Sequence, residues 1–375
     1  MRIIARMNVG GPAIQVTGLI KGLSSTEYEQ LLVTGYCEED EADYLLENNI
    51  ELSEVRIDGL GRSIQPWSDL SSLWKIRQLM KSFRPDVVHT HTAKAGLLGR
   101  LASISLRQGH LRIHTYHGHL LHGYFGPWKT RLVIDIEKIL ASFTHSLVAV
   151  GQVVRDDLIS KGIGKESQYS IIAPGFDMNS VKRNISRKDL QLSDETLVCL
   201  WVGRLVQIKR PERILEIARE TNQMGLDISY IVAGGGTALD KLRKIANEER
   251  LPINFLGWRN DVETLVSISD LVLLTSDNEG TPISIIQAQR IGKPVIATDV
   301  GSVREVLLPG ESGVIVDYSP KAFAEEIRKF SVNPSRYLNF SNSAKSFAAV
   351  RFSLERLVND HESLYRRLVK NQSSS

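Results

Sequence analysis

The sequence predicts two α/β domains, each a parallel sheet wrapped by helices. Three observations carry that expectation. Short β-branched runs alternate with longer amphipathic stretches along the chain. The runs are almost continuously apolar, as strands covered on both faces should be. Glycine-rich segments recur directly after several of them. A length of 375 residues suits two domains of ordinary size, and a hydrophobic content of 42% provides a core for both.

In chain order, the first domain offers the strand candidates RIIARMN, QLLVTGY, DVVHTHT, RIHTYHG and HSLVAVG. The second offers LVCLWVG, ISYIVAGG, INFLGW, DLVLLTS and PVIATDV. Amphipathic stretches such as DLSSLWKIRQLMKSF and RPERILEIARETNQM lie between them. The alternation pauses at residues 177–196, DMNSVKRNISRKDLQLSDET, a polar segment without a strong strand. A linker there divides the chain into domains 1–182 and 183–350, followed by a helical tail, 351–375. The tail opens with Ser353 as an N-cap and lines Leu354, Leu357, Val358, His361, Leu364, Tyr365 and Leu368 along one face. Gly10-Gly11, Gly203 and Gly234-Gly235-Gly236 all fall at the carboxyl ends of strands, where open parallel sheets bind ligands. Any one of them also permits a mere tight turn; their shared placement is what informs.

A formal net charge of +3 gives no sign of a nucleic-acid binder. The two cysteines, Cys37 and Cys199, lie far apart with no metal-ligand spacing, which argues against a disulfide framework or structural zinc and fits a reducing cytosol. The opening MRIIARMNVGG lacks the apolar core of a signal peptide, and no apolar run reaches the roughly 18–20 residues of a membrane span. Charge is nevertheless uneven. Acids dominate from Glu27 to Asp58, including Glu38, Glu39, Asp40 and Glu41. From Arg62 to Arg131 the bias reverses: Lys75, Arg77, Lys81, Arg84, Lys94, Arg100, Arg107, Arg112 and Lys129 face only Asp69 and Asp86, interleaved with Trp67, Trp74, Phe83, Tyr124, Phe125 and Trp128. Solvated helix faces explain this pattern as well as a basic, aromatic-edged surface resting on anionic lipid headgroups does.

Two segments carry the strongest chemistry. In VGRLVQIKRPE, Arg204 follows a strand end and Lys209 lies close behind it, just before Pro211 at an expected helix start. Two cations beside free helix N–H groups suit a diphosphate, although a surface basic pair would look the same. In SDNEGTPISIIQAQ, Glu279 precedes Gly280, Thr281 and Pro282, whose backbone can approach a phosphate or sugar. A helix then starts, carrying Gln287. A Glu favoured only by the helix dipole is the plainer explanation.

Taken with RMNVGGPAIQ, VVHTHTAKAGLLGRLAS, IHTYHGHLLHGYFG, LVAVGQVVRDDLISKGI, IVAGGG and FLGWRNDV, these segments resemble, in order and over nearly the whole chain, the retaining glycosyltransferases of family 4. The histidine-rich stretch is most similar to bacterial members that build exopolysaccharide, capsule or O-antigen. The resemblance implies the GT-B architecture: two Rossmann-like domains facing across a cleft, with the C-terminal helix crossing back to the first. It implies that Gly10 and Gly11 approach the donor, that Arg204 and Lys209 neutralise the leaving nucleoside diphosphate, and that Trp258 and Arg259 border the base. Glu279, Gly280, Thr281 and Pro282 would hold the sugar hydroxyls and distal phosphate, and His117 would lie near the anomeric centre. The family's ribose-binding glutamate falls on Gln287, whose neutral amide should weaken that contact by about 1 kcal/mol while leaving the chemistry intact.

The implied reaction moves a hexose or N-acetylhexosamine from a nucleotide sugar, expected to be UDP-linked, to an undecaprenyl-diphosphate-linked or growing glycan acceptor, with no cofactor. No Asp-x-Asp pair stands in a plausible metal site, and fixed cations can replace a divalent ion at the leaving group. His89, His91, His114, His117, His119 and His122 invite a metal reading, but no acid or cysteine lies at ligand spacing. His91 and Lys94 instead suit an acceptor pocket, Lys94 meeting a lipid-linked phosphate. A dinucleotide-binding oxidoreductase is weakly supported, since the glycines of AGGGTALDKL are contiguous. Two alternatives remain: a non-hydrolysing sugar-nucleotide epimerase of the same layout, and a non-catalytic sugar-nucleotide-binding subunit of a polysaccharide assembly complex. The expected location is the cytoplasm, peripheral at the inner face of the membrane.

Overall fold

The structure, a computed structural model, describes residues 1–39, 41–118, 127–178 and 185–373. It divides into two compact units: Met1–Asp177 with Phe352–Ser375, and Met178–Arg351. The boundary thus falls at 177/178 rather than 182/183. The chain rejoins unit 1 at Phe352.

Unit 1 runs β1 (Arg2–Arg6), α1 (Gly11–Gly22), β2 (Leu32–Gly35), α2 (Tyr44–Glu47), β3 (Glu54–Arg56), α3 (Pro66–Phe83) and β4 (Val87–His91). It continues with α4 (Ala93–Leu106), β5 (Leu111–Tyr116), α5 (Pro127–Ser142), β6 (Ser146–Ala149), α6 (Gln152–Ser160) and β7 (Tyr169–Ile171). Unit 2 runs β8 (Leu197–Val202), α7 (Arg213–Gln223), β9 (Ile228–Ala233), α8 (Leu239–Glu248), β10 (Ile253–Gly257), α9 (Val262–Ile268) and β11 (Leu271–Leu274). Then come α10 (Ile283–Ile291), β12 (Val295–Thr298), α11 (Val303–Val306), β13 (Gly313–Val316), α12 (Pro320–Ser331) and α13 (Pro334–Arg351). The tail helix is α14 (Leu354–Ser373).

Both sheets are parallel, with strand orders β3-β2-β1-β4-β5-β6-β7 and β10-β9-β8-β11-β12-β13. Each order reverses direction once, between β1 and β4 and between β8 and β11, the arrangement of doubly wound Rossmann-like folds. Ligand crevices form beyond the carboxyl ends of strands at such reversals, and the glycine-rich segments after β1 and β8 lie there. Central strands such as LVCLWV are buried along almost their whole length, because helices cover both faces. The strands absent from the sequence reading, β3, β7 and β13, are short and sit at sheet edges. Half-buried edge strands need no continuous apolar stretch, so they leave little pattern to read.

The tail helix belongs to unit 1 by packing. Ser353 Oγ accepts the amide of Arg356 at 3.3 Å, capping the helix start. Leu357, Val358, Leu364 and Tyr365 then close a core with Leu19, Leu23, Ile113, Val148 and Ile172. The approach to α1 is close enough that a Cβ on Gly22 would meet Val358 Cγ2 at 2.4 Å. No helix among the described residues is long and apolar enough to cross a membrane.

On the face of unit 1 carrying α3, α4 and α5, the charge reading needs correcting. Arg100 is fully buried, paired with Glu137 at 2.7 Å, and Glu137 also accepts the Tyr116 hydroxyl at 2.7 Å. Lys94 is engaged as well, as described below. Lys81, Arg84, Lys129, Arg131 and Lys138 are exposed. Ile64, Trp67, Leu70 and Trp74, at 77%, 86%, 58% and 60% exposure, lie on or beside α3, while Trp128, Leu132, Ile139 and Phe143 are exposed along and just beyond α5. Tyr124 and Phe125 lie outside the described residues, as do Asp40, His119 and His122.

Candidate active site

Unit 2 builds its part of the site from the turn after β8 and the loop after β11. A 3-10 turn, Gln207–Lys209, follows the Gly203–Leu205 segment, and Lys209 reaches across to Glu279. Its ammonium lies 2.6 Å from both carboxylate oxygens. Ser276 Oγ donates to Oε1 of the same carboxylate at 2.6 Å, and Glu279 is buried. Residues expected to play separate roles, one on the diphosphate and one on the sugar, therefore hold each other here.

The supporting contacts had little signature in the sequence. Asp277 accepts Arg210 Nε at 2.6 Å and Arg213 at 2.7 Å, while the Arg213 guanidinium lies 3.8 Å from the Tyr318 ring centroid. Thr275 Oγ1 accepts the Trp201 indole N–H at 3.0 Å and lies within hydrogen-bond reach of the Lys209 and Arg210 carbonyls. Asp277, in the same loop as Glu279, thus also ties that loop to the lysine turn, through Arg210 and Arg213. In the sequence, Arg210 and Asp277 each look like solvated surface charge, which hides their pairing.

Gly234 and Gly236 adopt φ of 147° and 151°, which side-chain-bearing residues rarely do. A Cβ on Gly234 would lie 1.8 Å from the Gly203 carbonyl oxygen, so the glycine loop presses directly on the turn that presents Arg204. Arg204 itself is exposed. Trp258 is half-exposed beside Gly235, whereas Arg259 forms a two-point pair with Asp261 at 2.7 and 2.5 Å. After Gly280, Thr281 and Pro282 lead into α10, where the Ile285 amide already donates to the Pro282 carbonyl at 3.1 Å and the amides of Ile283 and Ser284 precede the first helical bond. Thr281 Oγ1 is buried without a hydrogen-bond partner among the described residues. Gln287 is half-buried one to two turns into α10.

In unit 1, Gly10 is the N-cap of α1 in extended conformation, and a Cβ there would meet nothing closer than 3.9 Å. Local packing does not itself require glycine at this position. Gly11 begins the helix. His91 ends β4 and His117 follows β5, and the two rings meet with Nδ1 of His91 3.0 Å from Nε2 of His117. Burial pushes His89, His91 and His114 well below the ordinary imidazole value, His117 down to about 4 and His361 down to about 3. All are neutral at physiological pH. Among the described residues, no three His, Cys, Asp or Glu side chains are placed to hold a metal ion.

Lys94 differs from its expected role. Its ammonium lies 2.6 Å from Asp69 Oδ1 and donates to the carbonyls of Gly59 at 2.7 Å and Ser63 at 2.5 Å. It ties the segment before α3 to the start of α4, so its three donors are spent within the protein. A lysine at a helix start looks the same in sequence whether it projects or folds back.

The family comparisons match both units. The model of the family described as "Glycosyl transferase 4-like domain" matches residues 10–175, and that described as "Glycosyl transferases group 1" matches residues 182–347. This chain belongs to the GT-B glycosyltransferases. The glycosyltransferase is 29% identical over 255 residues to an Escherichia coli protein named UDP-Gal:alpha-D-GlcNAc-diphosphoundecaprenol alpha-1,3-galactosyltransferase, covering 64% of this chain and 65% of that one. It therefore spans just under two thirds of that relative's length. It is 26% identical over 326 residues to the Staphylococcus aureus capsular polysaccharide biosynthesis glycosyltransferase CapM, covering 82% of this chain and 84% of the relative. Among solved structures, HepE from Anabaena in complex with UDP and glucose superposes with a TM-score of 0.81 at 19% identity, covering 97% of this chain and 98% of that one, a likeness of fold.

Proposed function

We propose that this glycosyltransferase moves a hexose or N-acetylhexosamine from a UDP-linked sugar to a lipid-linked or growing glycan acceptor, with retention of configuration, in cell-surface polysaccharide synthesis. The observation that carries the reading is the Lys209–Glu279 contact at the carboxyl end of the unit 2 sheet, beside the exposed Arg204 and the first turn of α10. An incoming diphosphate competes for the Lys209 ammonium. As that cation turns to phosphate, Glu279 is released to accept hydrogen bonds from sugar hydroxyls. Arg204 and Lys209 then stabilise the charge that develops on the leaving group. Thr281, Gly280 and Pro282 shape the loop beneath it, Trp258 and Arg259 border the base, and Gln287 meets the ribose.

In the transfer, the bond between the anomeric carbon and the diphosphate oxygen breaks, and the acceptor oxygen bonds to the same face of that carbon. The acceptor proton passes to the departing phosphate oxygen, so no carboxylate nucleophile is required. His117, with its buried Nδ1 unpartnered among the described residues, serves as a neutral hydrogen-bonding group for the sugar. Names of relatives support the donor and acceptor classes: the E. coli protein's name specifies UDP-galactose and a diphosphoundecaprenol acceptor. The exposed apolar residues of α3 and α5, with Lys81, Arg84, Lys129, Arg131 and Lys138, suit a peripheral seat on anionic lipid.

The test is a panel of nucleotide sugars against undecaprenyl-diphosphate-linked acceptors, with products identified by mass spectrometry and their anomeric configuration by NMR. Transfer from a UDP-sugar with retention is expected. Inversion would overturn the mechanism, and donor binding without transfer to any acceptor would favour the non-catalytic subunit. For the membrane seat, phosphatidylglycerol vesicles should co-sediment the protein and phosphatidylcholine vesicles should not. Replacing Trp67 and Trp74 by serine should abolish the difference.

A further inference from the structure

A hydrogen-bonded set around His89, tied to the tail helix through Tyr365, is stacked against a second imidazole pair, His91 and His117. Arg2 donates to the Tyr365 hydroxyl at 3.3 Å, and that hydroxyl lies 2.7 Å from His89 Nδ1. With one acceptor site taken by Arg2, the hydroxyl is free to give its own proton to His89 Nδ1. In that arrangement His89 carries its single proton on Nε2, which lies 2.7 Å from Thr115 Oγ1. Both nitrogens of His89 are thereby engaged and its ring is locked. His91 stacks on it, with centroids 4.3 Å apart and planes at 29°.

The next contact carries the consequence. His91 Nδ1 and His117 Nε2 share one proton across 3.0 Å. If His91 supplies that proton, His117 must hold its own on Nδ1 and offers a donor there. If His117 supplies it, Nδ1 offers a lone pair instead. His117 Nδ1 and His91 Nε2 are buried without partners among the described residues, so within that set the contact between the two rings alone bears on the choice. What His117 presents at Nδ1 follows from which ring supplies the shared proton.

We propose that His91 is the positioning residue of His117, fixing its tautomer and ring plane, and that Tyr365 of the tail helix secures this arrangement through His89. The proposal rests on the reading that His117 meets the transferred sugar. It reassigns His91 from contacting the acceptor to preparing its neighbour. It also gives α14 a part in the reaction machinery of unit 1.

The test uses the full chain with 15N-labelled histidine and long-range 1H–15N correlation spectra, His117 being assigned by its loss in His117→Gln. The wild-type protein should show His117 in a single tautomer. His91→Phe, which keeps a flat ring in the stack but no nitrogen, should give a mixture of both. Its kcat should fall about tenfold, with the donor KM within about twofold of wild type. His91→Asn places an amide near the position of Nδ1 and should restore a single tautomer and much of kcat. Tyr365→Phe should act in the same direction, with a loss of about threefold. A purely structural role would lower the melting temperature of His91→Phe without altering the His117 tautomer. An unchanged tautomer in His91→Phe, or Asn performing no better than Phe, overturns the proposal. If His91→Phe does not fold, His91→Asn and Tyr365→Phe carry the same readout. Full transfer by His117→Ala would remove the underlying role of His117, while the tautomer measurement would still decide the relation between the two rings.

Discussion

Around His117, unit 1 keeps its imidazoles neutral: His89, His91, His114, His117 and His361 are held uncharged by burial. Around Glu279, unit 2 keeps its polar groups charged and matched, Lys209 on Glu279 and Arg210 with Arg213 on Asp277. The difference follows from desolvation. A titratable ring can surrender its charge and be enclosed, whereas lysine and arginine beside carboxylates stay ionised by finding partners. The consequences for ligands also differ. On the proposed mechanism, neutral rings are set before a substrate arrives, while matched charges exchange partners to receive an anion.

The sharpest way to break this contrast is to remove the exchangeable cation. Lys209→Met should lower kcat/KM about 100- to 1000-fold, the range seen when one pre-set charge stabiliser is lost, and Lys209→Arg should recover part of it. A steady-state transfer assay measures both. A loss below about tenfold would mean the Glu279 contact is merely structural.

Acid should separate the units next. All nine histidines fall within unit 1. His117 and His361 have folded-state values of about 4 and about 3, against an ordinary 6.5. Between pH 6.5 and about 4, the unfolded chain takes up protons that the folded chain refuses, so stability falls as pH falls and is fully present above about 6.5. Hydrogen exchange, corrected for its intrinsic pH dependence, should loosen the strands of unit 1 between pH 7 and pH 5 and spare those of unit 2. His361→Leu should flatten the slope of melting temperature against pH. Equal loosening of both units would contradict the contrast.

The smallest expected effect lies at Gln287. On the proposed placement at the ribose, Gln287→Glu should tighten UDP binding about fivefold in calorimetry and leave kcat unchanged, because a charged acceptor would strengthen that contact, far from the breaking bond. If that change alone switched an inert protein on, the placement of Gln287 at the ribose would be wrong.

Local pattern made much of this legible. Apolar runs locate the central strands, and Arg204, Lys209 and Glu279 stand out as charged groups at expected strand ends and helix starts, whereas His117 is singled out only by the family resemblance. Features that depend on distant partners were hidden. Arg100 looked like part of a basic surface because Glu137, which allows its burial, lies a whole crossover away in sequence. Lys94 looked available because the Gly59 and Ser63 carbonyls leave no side-chain signature. Tyr365 registered as one more apolar-face residue of a helix; only the fold sets its hydroxyl against His89.

The packing of α14 has a consequence for vectorial synthesis. Residues 178–351 form a contiguous unit that can close as soon as they leave the ribosome. Unit 1 emerges earlier, yet its face of Leu19, Leu23, Ile113, Val148 and Ile172 stays uncovered until Leu357, Val358, Leu364 and Tyr365 follow. The half of the molecule that is made first is therefore finished last. A nascent chain released before residue 352 should carry a sealed second unit and a chaperone-binding first one.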